Sequence, residues 1–203
     1  MRDLAIVDGL LFSELSATYD LYAALARRGS YAPCGKLLYA GGLTEETARL
    51  IRAANIAGAA SLTATADAAM QRAAVREGIT DFLVTNLDEA LRILKNQIRK
   101  RETVAVCISA APDVIEREMQ ERGVVADLTA QMEVQPLSED QIFLAVSDAP
   151  AEFEARALAL LPESDDAARR WLRLSPRYLG PQARRVRSLE CTREIAAVLS
   201  RDY

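Results

Sequence analysis

The chain has 203 residues, of which half are hydrophobic and 27% are charged, with a formal net charge of −4 and a sequence pI near 5.1. This length predicts one domain with an appendage, and the acidic charge excludes nucleic acid as the main partner, because phosphate binding needs a basic surface. The chain contains no histidine, which excludes Ser-His and Cys-His nucleophile systems and sites built on histidine ligands or a histidine base.

Cysteine usage and hydropathy predict a cytoplasmic protein. Cys34, Cys107 and Cys191 are widely spaced and match no zinc or redox motif, so we expect no metal site and a reducing compartment. Asp3 follows Arg2 and no apolar run of signal-peptide length comes after them, so we expect no secretory signal. No stretch approaches the ~20 apolar residues that cross a membrane, and no membrane partner is expected.

The first predicted element is a helix from about residue 10 to residue 28, ended by Gly29. Its apolar positions recur at helical spacing, and they are Leu11, Leu15, Tyr19, Tyr22 and Leu25.

Short apolar segments and helical segments then alternate along the chain. We predict strands at residues 36–40, 59–65, 81–84, 103–109 and 126–129. Capping preferences place the helix starts between them at Thr44, Asp67, Asn86 and Pro112. Strands that are apolar on both faces and alternate with helices are typical of a covered parallel sheet. The predicted fold class is therefore α/β, a doubly wound, mostly parallel Rossmann-like sheet with an N-terminal helix and a helical C-terminal appendage.

The alternation weakens after Leu128. We predict a strand at 142–146, helices at 151–161 and 165–174, an extended segment at 184–189 and a last helix from Thr192. Pro176, Gly180 and Pro181 predict a loop between them. The predicted division is a Rossmann-like domain with its N-terminal helix over residues 1–150, and an appendage over residues 151–203. The appendage is expected to pack on that domain or on another subunit.

Ligands of an open parallel sheet bind at the carboxyl ends of its strands. The first strand ends at Gly41 and Gly42, where a dinucleotide loop uses glycines to bring backbone N–H groups to the pyrophosphate. Here Glu45 and Glu46 follow, and two carboxylates would repel a phosphate. The second strand ends at Thr65, where an acidic residue would be expected to bind the ribose. A tight strand-to-helix turn is therefore favoured over a dinucleotide site.

Other reactive side chains have ordinary structural explanations. Cys107 is predicted to be a buried, inert thiol inside the fourth strand. Glu133, after the fifth strand, could act as an acid, although a single loop carboxylate is usually solvated. A C-terminal set of arginines could bind an anion, but no aromatic stacking set accompanies it, which favours a charged helix face. The set is Arg169, Arg170, Arg173, Arg177, Arg184, Arg185 and Arg187.

Taken in order, several segments resemble urocanase, the NAD-dependent urocanate hydratase of histidine breakdown. They are residues 17–22 (ATYDLY), 35–43 (GKLLYAGGL), 53–59 (AANIAGA), 86–91 (NLDEAL) and 104–128. The resemblance covers roughly residues 15–135 well and residues 165–200 more weakly, with Arg170 to Leu174 resembling a helix of the family's later core. It implies the family's Rossmann-like NAD-binding domain and a dimer.

The residues that would hold the cofactor depart from the family pattern. The family's loop after the first strand reads G-G-M-G-G-A-Q, whereas residues 44–50 of this chain read TEETARL. The family's acidic residue at the second strand falls on Thr65. The family's D-Q-T-S-A-H-D after the fifth strand corresponds to residues 130–135 (AQMEVQ), without its acid and histidine. The family enzymes are also far longer.

Three functional hypotheses follow from these observations. The first is a non-catalytic binding or assembly protein without a cofactor, forming a homodimer through the first helix and the C-terminal helices. The second is a ligand-binding protein or enzyme with a remodelled crevice. Its candidate contacts are Gly41, Gly42, Thr44, Thr65 and Ser109. The third and least favoured is NAD-dependent urocanate hydration, because the geometry that would bind the anionic cofactor is missing.

Overall fold

The structure is a computed structural model that describes residues 8–27, 33–130, 140–147 and 151–202. The first helix, α1, is followed by five units in which strands and helices alternate. Their bounds are α1 Gly9–Arg27, β1 Leu37–Gly42, α2 Glu45–Ala57, β2 Ala60–Ala64, α3 Ala68–Arg76, β3 Phe82–Val84, α4 Leu87–Lys100, β4 Ala105–Ile108, α5 Pro112–Glu121 and β5 Leu128–Thr129. The remaining elements are β6 Gln141–Val146, α6 Ala151–Leu160, α7 Asp166–Tyr178, a 3₁₀ turn at Pro181–Ala183, β7 Arg187–Thr192 and α8 Arg193–Asp202.

The first five strands form one parallel sheet in the order β3-β4-β2-β1-β5. Helices α2 and α3 pack on one face of this sheet with α1, whereas α4 and α5 pack on the other. Right-handed crossovers produce this arrangement when the chain moves first towards one edge and then back towards the other. The predicted doubly wound, Rossmann-like α/β fold is confirmed.

Alternation of side chains along β1 explains how both faces of the sheet are covered. Leu37 and Tyr39 pack with the α4 and α5 side of the core, while Leu38 and Ala40 pack against the α1, α2 and α3 side. All five residues of β2 are buried. Two of these residues, Ser61 and Thr63, are polar, so β2 departs from the continuous apolar run that is typical of a strand buried on both faces.

The C-terminal part builds a second, two-stranded sheet, in which β6 pairs antiparallel with β7. Trp171 of α7 is fully buried, and its ring lies 4.9 Å from the ring of Tyr19 in α1, between centroids. Its indole N–H donates to Ser188 Oγ in β7 at 3.2 Å. The C-terminal part therefore packs on the α1 side of the parallel sheet. The division after residue 150 stays a prediction, although β6 lies before that residue and its partner β7 lies after it.

Helix α7 differs from the prediction because it continues through Pro176 to Tyr178. The sequence predicts a loop there, since proline lacks the N–H that continues a helix. Here Trp171, Leu172 and Ser175 are buried, and Leu179 N still donates to Ser175 O at 3.0 Å. Tertiary packing of the helix face thus outweighs the proline. Gly29 and Glu133 lie outside the described residues.

In the described ranges, the structure contains no helix that is both long enough and apolar enough to cross a membrane.

Candidate functional site

The turn from β1 to α2 lies at the carboxyl edge of the sheet, where a Rossmann-like fold binds its ligand. Gly41 has a φ of 75°, a left-handed conformation that favours glycine. The pairing of β1 with β2 shifts register between Tyr39 and Gly41, and Thr63 Oγ1 donates to Gly41 O at 2.8 Å. The bulge and this hydrogen bond anchor the turn to β2.

Two hydroxyl groups, those of Thr44 and Thr47, cap the N-terminus of α2. Thr47 N donates to Thr44 Oγ1 at 3.2 Å, and Thr44 N donates to Thr47 Oγ1 at 2.8 Å. Thr47 Oγ1 in turn donates to Gly42 O at 2.7 Å. This reciprocal capping box satisfies backbone donors that would otherwise be available to an anion. Thr44 was expected to cap α2, and that prediction is confirmed.

The first turn of α2 also carries two exposed carboxylates, Glu45 and Glu46. Acidic residues are favourable at this end of a helix because they interact with the positive end of the helix dipole. The same charges make the position unfavourable for a phosphate.

The first turn of α5 lies directly over the two glycines of the β1 turn. A Cβ atom added to Gly42 would be 3.2 Å from Pro112 Cγ, and one added to Gly41 would be 4.0 Å from Glu116 Oε1. The Tyr39 hydroxyl donates to Glu116 Oε1 at 3.2 Å. Burial and the nearby Glu116 carboxylate raise the pKa of Tyr39, so this hydroxyl keeps its proton at neutral pH. Pro112 is thus packed closely on Gly42, and the Glu116 carboxylate lies near Gly41.

Thr65 and Ser109 follow the neighbouring strands β2 and β4. Thr65 is buried, and its Oγ1 accepts from Asp67 N at 3.2 Å while its carbonyl accepts from Gln71 Nε2 at 2.7 Å. Asp67 caps α3, as predicted. Ser109 is half-buried, and its N–H donates to Val84 O at 2.8 Å. The polar groups of Thr65 are therefore used to shape its own loop.

A groove of about 640 Å³ opens between α1, α2, α3 and the segment at residues 179–183. Of the five candidate contact residues, Thr44 is part of its lining, whereas Gly41, Gly42, Thr65 and Ser109 are not. Its apolar lining includes Leu11, Leu15, Leu43, Ala48, Met70 and Ile79. The structure thus brings Thr44 to a groove on a helical face of the domain.

Sequence reasoning missed Arg52, the most buried cation of this groove. Its side chain is 17% exposed, and one of its terminal nitrogens lies 3.4 Å from Oε2 of Glu77, the residue that caps the end of α3. Its Nε is buried without a hydrogen-bond partner. Four-residue spacing places Arg52 on the same side of α2 as Ala48 and the capping residue Thr44, and this stripe was the signal available in the sequence.

The sequence matches the Urocanase Rossmann-like domain over residues 15–134. This match spans more than half of the chain. The chain belongs to the urocanase family. In this urocanase-family chain the match begins within α1 and includes all five strands of the parallel sheet. The resemblance recognised in the sequence is therefore confirmed.

Several arginines of this urocanase-family protein bind backbone carbonyl groups. Arg170 Nε donates to Ile56 O at 2.6 Å, and one terminal nitrogen of Arg169 donates to both Leu158 O and Leu161 O. Arg187 pairs with Glu154 at 2.9 Å. Arg170 thus joins α7 to α2, Arg169 joins α7 to the end of α6, and Arg187 joins β7 to α6, whereas the sequence favoured a charged helix face.

Cys107 is fully buried in β4, as predicted, and burial raises the pKa of its thiol to about 11. Cys191 is also buried, and its surroundings likewise raise the pKa of its thiol to about 11. Both thiols therefore stay protonated at neutral pH, where the thiolate is the nucleophile. In the part of the chain that the structure describes, no three Cys, Asp or Glu side chains cluster so that they could hold a metal ion.

Proposed function

We propose that this urocanase-family chain is a non-catalytic binding or assembly module that does not use NAD. The observation that carries the proposal is the capped N-terminus of α2, where Thr44 and Thr47 cap each other and Glu45 and Glu46 face solvent. A dinucleotide would place its pyrophosphate against such a helix end. The residues present do not fit that group.

Charge alone disfavours a phosphate at this position. A unit charge about 6 Å from another in water interacts by on the order of 0.7 kcal/mol. The N-terminus of a helix attracts an anion by about 0.3–1 kcal/mol. Repulsion from Glu45 and Glu46 is therefore of the same size as this attraction and opposes it. Pro112 adds a steric argument, because it lies close to Gly42, and the Glu116 carboxylate near Gly41 adds a further negative charge.

Calorimetry with NAD, combined with a urocanate turnover assay on the same sample, tests the proposal. We expect no heat of binding and no turnover. The double variant E45Q/E46Q removes the repelling charges, and E152Q/E163Q serves as a matched control because those glutamates are also exposed. Any gain in NAD affinity should be confined to E45Q/E46Q. Binding of NAD or turnover of urocanate by the unmodified chain would contradict the proposal.

Homodimerisation through α1 and the C-terminal helices is part of the same proposal. Leu10 of α1 is 82% exposed and Phe12 is 38% exposed, which leaves apolar surface at the start of this helix. Such surface is often buried in an interface. Sedimentation equilibrium should show a dimer that L10E weakens. V125E is the matched control, since Val125 is 85% exposed and lies on the loop before β5. A monomer at high concentration would contradict this part of the proposal.

A second candidate function is small-molecule binding in the groove between α1, α2 and α3. Its volume of about 640 Å³ is within the usual range for ligand sites, about 300–1,000 Å³. Arg52 supplies a half-buried cation beside an apolar part of the lining, and an apolar carboxylic acid would compete with Glu77 for it. Thermal-shift screening of small aromatic and aliphatic carboxylates should find a stabilising ligand whose effect is lost in R52Q. Equal shifts in R52Q, or none in either protein, would exclude this function.

A further inference from the structure

The edge strand β3 exposes apolar side chains on both faces of the sheet. In the described residues β3 pairs with β4 and with no other strand. Phe82 is 46% exposed and Leu83 is 43% exposed. Phe82 is paired with Val106 and Leu83 with Cys107, so the two side chains point to opposite faces. An edge strand also presents unpaired backbone groups to which another strand can bind.

A basic groove runs beside this edge, along α4. Its volume is about 620 Å³, and Phe82 and Ile93 supply its apolar lining. The rest of the lining is polar or basic, namely Arg92, Lys95, Asn96, Gln97 and Arg99. Arg92, Lys95 and Arg99 are exposed. Within the described ranges, none of these three cations forms a salt bridge.

The charge of the groove discriminates between possible occupants. A second copy of the chain pairing β3 with β3 would bring two sets of α4 cations towards each other, which is repulsive. An extended segment that carries carboxylates would instead be attracted to Arg92, Lys95 and Arg99. Nucleic acid is less suitable, because the chain as a whole is acidic, with a net charge of −4.

We propose that β3 and α4 form a docking site for an acidic, extended segment of a partner protein. The segment adds as a strand beside β3, which is a known mode of peptide recognition. Its apolar side chains contact Phe82 and Leu83, and its carboxylates pair with Arg92, Lys95 and Arg99. This inference rests on the proposed function, a binding or assembly module, and names the chemistry of its partner.

Fluorescence anisotropy with a labelled seven-residue peptide, Glu and Val in alternation, tests the site on the full chain. We expect saturable binding that weakens as salt rises, and at least tenfold weaker binding of the same peptide with Lys in place of Glu. The charge-reversal variant R92E/K95E/R99E should also weaken binding at least tenfold. The neutral variant R92Q/K95Q/R99Q should have an intermediate effect. Because all three side chains are exposed, these variants are expected to fold, which circular dichroism checks.

The matched control is R173E/R177E/R184E, which reverses three exposed arginines in the C-terminal part. It should leave peptide binding within twofold of the unmodified chain. Hydrogen exchange should show peptide-dependent protection at β3 and none at β5, the opposite edge of the sheet.

Equal binding of the Glu and Lys peptides, equal loss in the two charge-reversal variants, or protection away from β3 would overturn the proposal. Binding of single-stranded nucleic acid in preference to the acidic peptide would also overturn it. The proposed function is tested separately. Its failure would be seen as NAD binding or urocanate turnover, and neither measurement depends on the peptide.

Discussion

Gly42 at the end of β1 and Pro112 at the start of α5 are in close contact, so that a Cβ atom on Gly42 would lie 3.2 Å from Pro112 Cγ. The contact joins a strand end to the helix that crosses over it. Gly42 is not among the residues with a positive φ, so an alanine there would be opposed by packing and not by backbone strain.

We therefore expect G42A to destabilise the protein by about 1 kcal/mol, because overpacking forces a rigid proline ring to move. Urea denaturation followed by circular dichroism measures the change. G9A is the control, since a Cβ at Gly9 would meet no atom within 4 Å. The double variant G42A/P112A should recover part of the loss. If G42A and G9A behave alike, the contact does not constrain the turn.

Removal of the Trp171 side chain should destabilise the protein strongly. The side chain is fully buried, it packs against Tyr19 and Tyr22, and it donates a hydrogen bond to Ser188. W171A should lose about 3–5 kcal/mol, as is typical of truncating a large buried aromatic residue. Urea denaturation by far-UV circular dichroism is suitable, since Trp171 is the single tryptophan. V114A, at a residue that is 46% exposed, should change stability little. A loss below about 1 kcal/mol in W171A would mean that the C-terminal part does not dock on α1.

Ion pairing of Glu14 with Arg49 should make stability depend on pH in one direction. Arg49 donates to both carboxylate oxygens of Glu14, at 2.6–3.0 Å. The hydrogen bond from Arg49 lowers the pKa of Glu14 below its ordinary value of 4.5. The stabilisation is thus fully present above about pH 4.5 and is lost as pH falls through the lowered pKa.

E14Q should therefore destabilise the protein by about 0.5 kcal/mol at neutral pH and by less in strong acid. Thermal denaturation at several pH values measures this difference. E118Q is a comparison variant, because Glu118 pairs with Arg122 on an exposed helix face. A loss in E14Q that does not diminish in acid would show that the ionised pair is not its source.

Ionisation of Asp20 should change stability in the opposite direction from ionisation of Glu14. Burial, with a further contribution from Glu190, raises the pKa of Asp20 above its ordinary value of 3.8. Ionisation therefore destabilises the folded state: the penalty is absent below pH 3.8, develops as pH rises through the raised pKa, and is complete above it. D20N should raise the melting temperature at neutral pH and leave it unchanged in strong acid. A melting temperature lowered by D20N at neutral pH would contradict this assignment.

Much of the parallel sheet could be predicted from residue types alone. An apolar run located β4, and capping residues Thr44 and Asp67 located the starts of α2 and α3 on either side of β2. These signals are local, because a capping side chain bonds to backbone groups two or three residues away. The loop predicted at Pro176 was wrong because burial of Trp171, Leu172 and Ser175 holds α7 together, and such burial depends on distant residues.

Some features of the candidate site could also be predicted from the sequence, and others could not. The absence of a glycine-rich loop and the presence of Glu45 and Glu46 were visible in the sequence, as was the resemblance to urocanase. The close approach of Pro112 to Gly42 was not visible, because α5 lies about 70 residues further along the chain and reaches the turn only through the crossover. Arg52 and the basic edge at β3 were likewise missed.

From its sequence alone, the protein is determined to be a doubly wound α/β domain of the urocanase type, with Glu45 and Glu46 following the turn after β1. The reason is that periodicity, caps and glycines act over a few residues. Tertiary structure alone decided which surfaces those residues form: a groove over α2, a closed turn at Gly42 and a basic edge beside β3. Each of these features requires side chains from separate elements to meet, and only the packing of the sheet and its helices brings them together.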